Sequence, residues 1–174
     1  MGRYRAPSKP STALISPAGA QRLRGELQHL WREERPRVAK AVQDAAKNGD
    51  RSENGDYIYG KKRLREIDGR VRHISKRLEV LTVVEHRPAD QGRVYFGATV
   101  DYEDEEGLRR SVTILGPDEF DALRDEISID APLARALLGK SKGEWVSFST
   151  PHGDREVEIT DVRYCEFSEA KEDV

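Results

Sequence analysis

The sequence predicts an α+β protein: an antiparallel α-helical coiled-coil hairpin, then a small antiparallel sheet carrying one short helix. Two observations support this. Apolar residues in the first half recur at helical spacing in two stretches. In the second half, apolar and polar residues alternate in short runs that are separated by turn-forming residues. Of the 174 residues, 36% are hydrophobic and 36% are charged, a composition that fits an elongated part with a large solvated surface.

The first predicted helix spans residues 17–47. Ser16 and Pro17 form a typical helix start, because the hydroxyl can cap the helix and proline lacks an N–H that would go unused there. Apolar residues follow at intervals of three, four or eight: Leu23, Leu27, Leu30, Val38, Ala41 and Ala45. Pro36 removes one backbone hydrogen bond, and the apolar pattern resumes beyond it, so we expect a single kinked helix.

The second predicted helix spans residues 53–84. Its a and d heptad positions are apolar except for one gap at Gly60, and they are Tyr57, Leu64, Ile67, Val71, Ile74, Leu78 and Leu81. The turn formers at 48–52 join two arms of nearly equal length. This favours a hairpin over a dimeric coiled coil, which would use the same apolar positions. We therefore predict a hairpin over 13–86, with its tip at 48–53.

The second half predicts a linker at 87–92 and a sheet domain at 93–167. Strands are expected at 94–102, 108–115, 126–130, 145–150 and 155–164, with a short helix at 132–138. The two ends of the chain, 1–12 and 168–174, are expected to be disordered.

Charge and composition limit the classes of function that the chain could have. Residues 1–87 carry 20 Lys and Arg against 11 Asp and Glu, a net +9, and residues 88–174 carry 10 against 21, a net −11. Such asymmetry suggests that the first module binds a polyanion. No stretch predicts a membrane span or a signal peptide, and the lone Cys165 cannot form an internal disulfide. We expect a cytoplasmic protein and, with four scattered histidines, no catalytic triad.

Two acidic residues at the tip are the candidate functional groups. Asp50 and Glu53 stand three residues apart where the turn becomes the second helix. They could form a capping box, with Asp50 as the N-cap and Glu53 at N3. Alternatively, both carboxylates could bind a hard cation. Mg²⁺ prefers six oxygen ligands, so another macromolecule would have to supply the rest of the site.

A cluster of cations follows the tip on the second helix. Only Glu66 and Asp68 accompany eight basic residues, which are Lys61, Lys62, Arg63, Arg65, Arg70, Arg72, Lys76 and Arg77. They fall outside the predicted apolar seam. Contacts to nucleic-acid phosphates explain this excess better than solubility alone.

Two motifs around the tip resemble the Gre transcript-cleavage factors of bacterial RNA polymerase. They read GDRSENGDY at 49–57 and KKRLREID at 61–68, and the second is similar to the GreB type rather than GreA. The resemblance continues in LWREERP at 30–36 and ISIDAPLARALL at 127–138. It covers residues 12 to 167.

The resemblance implies a coiled-coil hairpin and an FKBP-like C-terminal domain, and we expect the protein to be a monomer. It further implies that the hairpin enters the secondary channel of backtracked RNA polymerase, where Asp50 and Glu53 help hold a Mg²⁺ ion shared with the polymerase. The polymerase itself would hydrolyse the RNA, so the chain is not expected to be an enzyme on its own. Asp130 and Pro132 match the loop that docks on the polymerase rim. The extruded RNA 3′ end would contact Lys61, Lys62 and Arg65.

Three other functions stay open. A related protein could occupy the channel and inhibit the polymerase without promoting cleavage, although the two tip acids argue against this. The implied FKBP-like domain could act as a peptidyl-prolyl isomerase, but a shared fold does not establish that activity. A general RNA-binding coiled coil would bind RNA without polymerase.

Overall fold

The computed structural model describes residues 11–47 and 53–165. The predicted architecture is confirmed: a helical hairpin is followed by a mostly antiparallel sheet with one short α-helix. The chain forms two compact units. The hairpin unit is Ala18–Leu81, and the described part of the sheet unit consists of residues 11–17 and 82–165.

The first arm of the hairpin contains a π-helical segment. Helix α1 (Pro17–His29) leads into this segment (Leu30–Glu34), and helix α2 (Arg35–Ala45) follows without a break. The N–H of Arg35 donates to the carbonyl of Leu30, five residues back, as in a π-helix. Pro36 occupies the first turn of α2, where its missing N–H is tolerated. The irregularity expected at Pro36 is therefore a widened turn in front of it.

The π segment shifts the buried stripe by one residue. Val42 is buried, whereas the predicted seam residue Ala41 is exposed. A π turn takes up an extra residue, so positions beyond it reach the partner helix one residue later than the sequence spacing suggests. The prediction of Ala41 at the seam was wrong for this reason.

The second arm is helix α3 (Gly55–Val80), and its seam follows the predicted heptad positions. Ile67 and Ile74 are almost fully buried, and the other predicted a and d residues are partly buried. At the gap, a Cβ atom on Gly60 would lie closer than 3.0 Å to a methyl group of Val42. The glycine therefore leaves room for the valine side chain of the first arm.

Ion pairs join the two arms at several levels. They link three acids to three arginines: Arg63 to Glu34 (2.6 Å), Arg35 to Asp68 (2.7 Å) and Arg70 to Glu26 (2.6 Å). Glu34 is the most buried member, with 13% of its side chain exposed. Breaking its pair would leave a carboxylate with little access to water, so this contact favours one alignment of the helices.

The described part of the sheet unit contains seven strands and helix α4 (Pro132–Leu137). The strands are β1 (Leu14–Ile15), β2 (Thr82–Val83), β3 (Ala98–Asp104), β4 (Arg109–Leu115), β5 (Glu126–Ser128), β6 (Trp145–Thr150) and β7 (Gly153–Tyr164). The main sheet has the order β5-β4-β3-β7-β6. Its pairs are antiparallel except β4 with β5, which is parallel. A 3₁₀ turn at Ala122–Arg124 precedes β5.

The core of this unit lies between the sheet and α4. Its residues with no exposed surface are Val94, Ala98, Val100, Ile114, Ala134, Leu137 and Ile159. The first strand was predicted from residue 94 but begins at Ala98, because burial of Val94 and Phe96 gives the preceding loop the apolar content of a strand. The helix ends near its predicted terminus, where Gly139 takes a positive φ.

Strands β1 and β2 were not predicted. They pair in parallel and belong to the sheet unit, so the compact hairpin is shorter than the predicted segment 13–86. The buried Glu119 carboxylate secures this region by accepting the N–H of Ser16 (2.9 Å), the Ser16 hydroxyl and the N–H of Gly116 (3.1 Å). Ser16 and Glu119 thus join the segment before α1 to the loop after β4 within the sheet unit.

Within residues 11–47 and 53–165, no helix is both long enough and apolar enough to cross a membrane.

Candidate functional site

The tip is the first candidate site, and the structure describes one of its two predicted acids. Asp50 lies outside the described residues. Glu53 stands in a turn immediately before α3, and its side chain is exposed. Glu53 makes no hydrogen bond or ion pair with another residue of the described segments. Among the described residues, none competes with an external ligand for this carboxylate.

Asn54 caps α3 at this turn. Its side-chain Oδ1 accepts the N–H of Tyr57 (3.1 Å), and its Nδ2 donates to the carbonyl of Ala45 in the first arm (2.8 Å). The alternative in which Asp50 and Glu53 form a capping box is wrong, because Glu53 precedes the N-cap instead of occupying N3. Asn is among the preferred N-cap residues, so the sequence contained a signal for this cap.

The donor set at the tip suits a metal that is largely held by another molecule. Carboxylate oxygens are ligands that Mg²⁺ prefers, and Glu53 can offer one or two of them. In the described parts of the chain, no three His, Cys, Asp or Glu residues cluster closely enough to hold a metal ion. The described residues alone therefore do not complete a six-oxygen site at the tip.

Seven of the eight cations behind the tip fall into two groups, and the eighth, Arg77, is partly buried. Arg63 and Arg70 bind acids of the first arm, and the hydrogen bonds that Arg63 donates to Glu34 and Glu66 raise its pKa. A second group is exposed and forms no ion pair within the described residues: Lys61, Lys62, Arg65, Arg72 and Lys76. The three predicted RNA-binding residues belong to this second group. We call Lys61, Lys62 and Arg65 the cationic face.

The predicted docking loop has an unexpected structural partner. Both carboxylate oxygens of Asp130 accept hydrogen bonds from Thr12, one from its N–H (2.9 Å) and one from its hydroxyl (2.7 Å). These bonds, with a weaker contribution from Arg135, hold the pKa of Asp130 below its ordinary value. Pro132 is exposed at the first residue of α4. The loop is thus tied to the segment that precedes the hairpin.

The contact between Thr12 and Asp130 has no sequence signal, because 118 residues separate the two. It also revises the predicted extent of the disordered N-terminal segment 1–12, since Thr12 is held by two hydrogen bonds. Residues 1–10 and 166–174 lie outside the described residues.

Two family models match the chain, an N-terminal model on its first half and a C-terminal model on its second half. Residues 13–83 match "Transcription elongation factor, N-terminal", and residues 89–164 match "Transcription elongation factor, GreA/GreB, C-term".

Relatives match most of the chain. Transcription elongation factor GreB of Pseudomonas aeruginosa is 55% identical over 94% of this chain and 98% of its own length. That of Yersinia pestis is 53% identical over 89% and 91%. Among solved structures, that of the transcription factor Gfh1 is 25% identical, with a TM-score of 0.43, covering 89% of this chain and 99% of its own.

Proposed function

The chain belongs to the GreA/GreB family of transcription elongation factors, and from this premise we propose that it stimulates RNA cleavage by backtracked bacterial RNA polymerase. The identity to GreB proteins over nearly the whole chain supports the GreB type. One observation carries the cleavage role. The Glu53 carboxylate stands exposed at the turn of the hairpin, and the helix cap that could have used it is formed by Asn54.

In this proposal the hairpin enters the secondary channel of the polymerase and places Asp50 and Glu53 beside the active centre. The two carboxylates supply negative oxygen ligands to a Mg²⁺ ion that the polymerase also holds. Such an ion activates a water molecule and stabilises the leaving oxygen in phosphodiester hydrolysis. Asn54 fixes the start of α3 by bonding to both arms, so it positions Glu53 without using its charge.

The cationic face binds the extruded RNA. Lys61, Lys62 and Arg65 are exposed, and their charges are not neutralised by acids among the described residues. Cations of this kind displace the counterions around phosphates and bind a strand without reading its sequence. Their place along α3, beginning two turns after Glu53, suits a strand whose 3′ end lies at the tip.

Replacing the tip acids tests the proposal directly. Asp50→Asn and Glu53→Gln keep the size of each side chain but remove the charge that Mg²⁺ requires. Each should slow RNA cleavage in a stalled, backtracked complex by about 10²-fold, comparable to losing one preorganised electrostatic group. Raising Mg²⁺ should restore part of the rate, because the defect is occupancy of a weak site.

Glu79→Gln is the matched control, since Glu79 is an exposed acid near the other end of α3. It should leave cleavage unchanged. Near-normal cleavage by both tip variants at limiting Mg²⁺ would refute the metal role. Polymerase binding with no cleavage by the unaltered protein would instead identify a channel-blocking inhibitor.

The docking loop needs a different control. Asp130→Arg should weaken competition for polymerase, but it also breaks the bonds to Thr12. Thr12→Val removes the hydroxyl bond while leaving the Asp130 carboxylate in place. If Asp130 contacts the polymerase, Asp130→Arg should weaken binding much more than Thr12→Val does. Equal losses would assign Asp130 to folding alone.

A further inference from the structure

Two apolar side chains of α3 are exposed close to the tip. Tyr59 has 72% of its surface exposed, and Ile58 has 52%. Neither belongs to the hairpin seam, where the neighbouring Tyr57 and Gly60 lie. The Tyr59 ring is not buried by other parts of the fold, and it lies on a heavily charged helix. Exposed apolar surface of this kind can mark a binding site, so the residues around the ring indicate which ligand it would bind.

These two residues share a surface with the cationic face. At 100° per residue, the positions of Lys61, Arg65, Ile58, Lys62 and Tyr59 follow one another within an arc of about 160°. This arc lies opposite the buried Ile67 and Ile74 of the seam. Ile58 falls between Arg65 and Lys62, and Tyr59 flanks Lys62 on the other side. Apolar surface is thus interleaved with positive charge that has no ion-pair partner in the described parts of the chain.

We propose that Tyr59, with Ile58 beside it, is a stacking platform for a base of the RNA strand whose phosphates bind the cationic face. This inference rests on the proposed function, which brings RNA to the hairpin. Single-stranded nucleic acids are bound by cations that follow the backbone and by aromatic rings on which bases stack. A tyrosine ring accepts any of the four bases in this way, so the platform does not select a sequence.

The stacking and phosphate contacts differ in their response to salt. Loss of a phosphate contact reduces the salt slope of single-strand binding by about 0.7. Loss of a stacked ring lowers affinity without releasing fewer counterions, so the slope stays the same. Replacing Tyr59 and replacing Lys62 should therefore have distinguishable effects, although the two residues are neighbours on one face.

The test uses a backtracked polymerase complex whose extruded RNA carries 2-aminopurine, a base whose fluorescence is quenched by stacking. All variants are made in the Glu53→Gln background, so that the RNA stays intact during the titration. We expect quenching with Tyr59 and with Tyr59→Phe, because both present an aromatic ring. Tyr59→Ala and Tyr59→Leu should lose the quenching and weaken apparent affinity by on the order of 10-fold or more. Lys62→Ala should keep the quenching but reduce the salt slope.

Trp145→Ala is the matched control, since it removes an exposed aromatic residue from the sheet unit (53% exposed). It should behave like the parent protein. Quenching and affinity that are unchanged in Tyr59→Ala would overturn the inference, as would equal losses in Tyr59→Phe and Tyr59→Ala. The melting curve of each variant shows whether it is folded. Failure of the proposed function is detected separately, by unaltered cleavage in Glu53→Gln with Tyr59 intact.

Discussion

Substituting Gly60 by alanine should destabilise the hairpin, although the same change usually stabilises a helix. In the interior of an exposed helix, alanine is favoured over glycine by about 1 kcal/mol. At Gly60, however, the new Cβ would lie closer than 3.0 Å to a methyl group of Val42, whereas ordinary contacts fall at 3.4–4 Å. The two arms would have to separate, or the valine would have to leave its position.

The expected loss of stability in Gly60→Ala is the cost of overpacking against Val42 minus the gain in helix propensity. Valine in a helix has one strongly preferred rotamer, so its methyl group cannot swing away cheaply. Overpacking of this kind costs about 1–3 kcal/mol, and a shift of this size favours the upper end. After subtraction of the gain in helix propensity, Gly60→Ala should lower the free energy of unfolding by about 1–2 kcal/mol.

Urea denaturation of the full chain, followed by the helical circular dichroism signal, measures this loss. Gly69→Ala is the internal control, because a Cβ there meets nothing within 4 Å in the same helix. Gly69→Ala should be neutral or stabilising. The double variant Val42→Ala with Gly60→Ala should be more stable than the sum of the single changes predicts. If Gly60→Ala stabilises the chain as much as Gly69→Ala does, the close approach of the arms is refuted.

Two further predictions concern the tip and the docking loop. Asn54→Ala should cost about 1 kcal/mol of hairpin stability through loss of the N-cap, whereas Glu53→Gln should leave the urea midpoint unchanged. A stability loss in Glu53→Gln would show that this carboxylate has a structural role. The pKa of Asp130 is lowered by its bonds to Thr12, so its charged form stabilises the fold above about pH 4 and this contribution is lost on further acidification. Asp130→Asn should therefore be less stable than the parent at pH 6, with a smaller difference at pH 3; a gap independent of pH would contradict this linkage.

The helical hairpin could be predicted because its signals are local. Apolar residues in one heptad frame specify the buried face of α3, and the turn formers between the two apolar stretches separate the two arms in the sequence. The exposure of Lys61, Lys62 and Arg65 follows from the same frame. Periodicity does not show which cations meet an acid on the other arm, so the pairing of Arg63 with Glu34 required the structure.

The remaining features depend on contacts between distant parts of the chain. Strands β1 and β2 have two residues each, too few for any alternation to appear, and they pair across the whole length of the hairpin. The bonds from Thr12 to Asp130 and from Ser16 to Glu119 join segments more than 100 residues apart. The Asn54 cap did have a local signal, because Asn is a preferred N-cap residue. The three-residue spacing of Asp50 and Glu53 pointed instead to a capping box one turn earlier.

The π segment at Leu30–Glu34 helps to select which residues of the two arms face each other. Two helices with an uninterrupted seven-residue repeat could slide past one another by one repeat, about 10 Å, and still bury a continuous seam. Here the seam changes phase at the π segment, and Val42 fits opposite Gly60. A slide of one repeat would bring Val42 against Ile67, which is already buried. Gly60 leaves room for the Val42 side chain and Ile67 does not, so the π segment, Val42 and Gly60 together favour the observed pairing of the two arms.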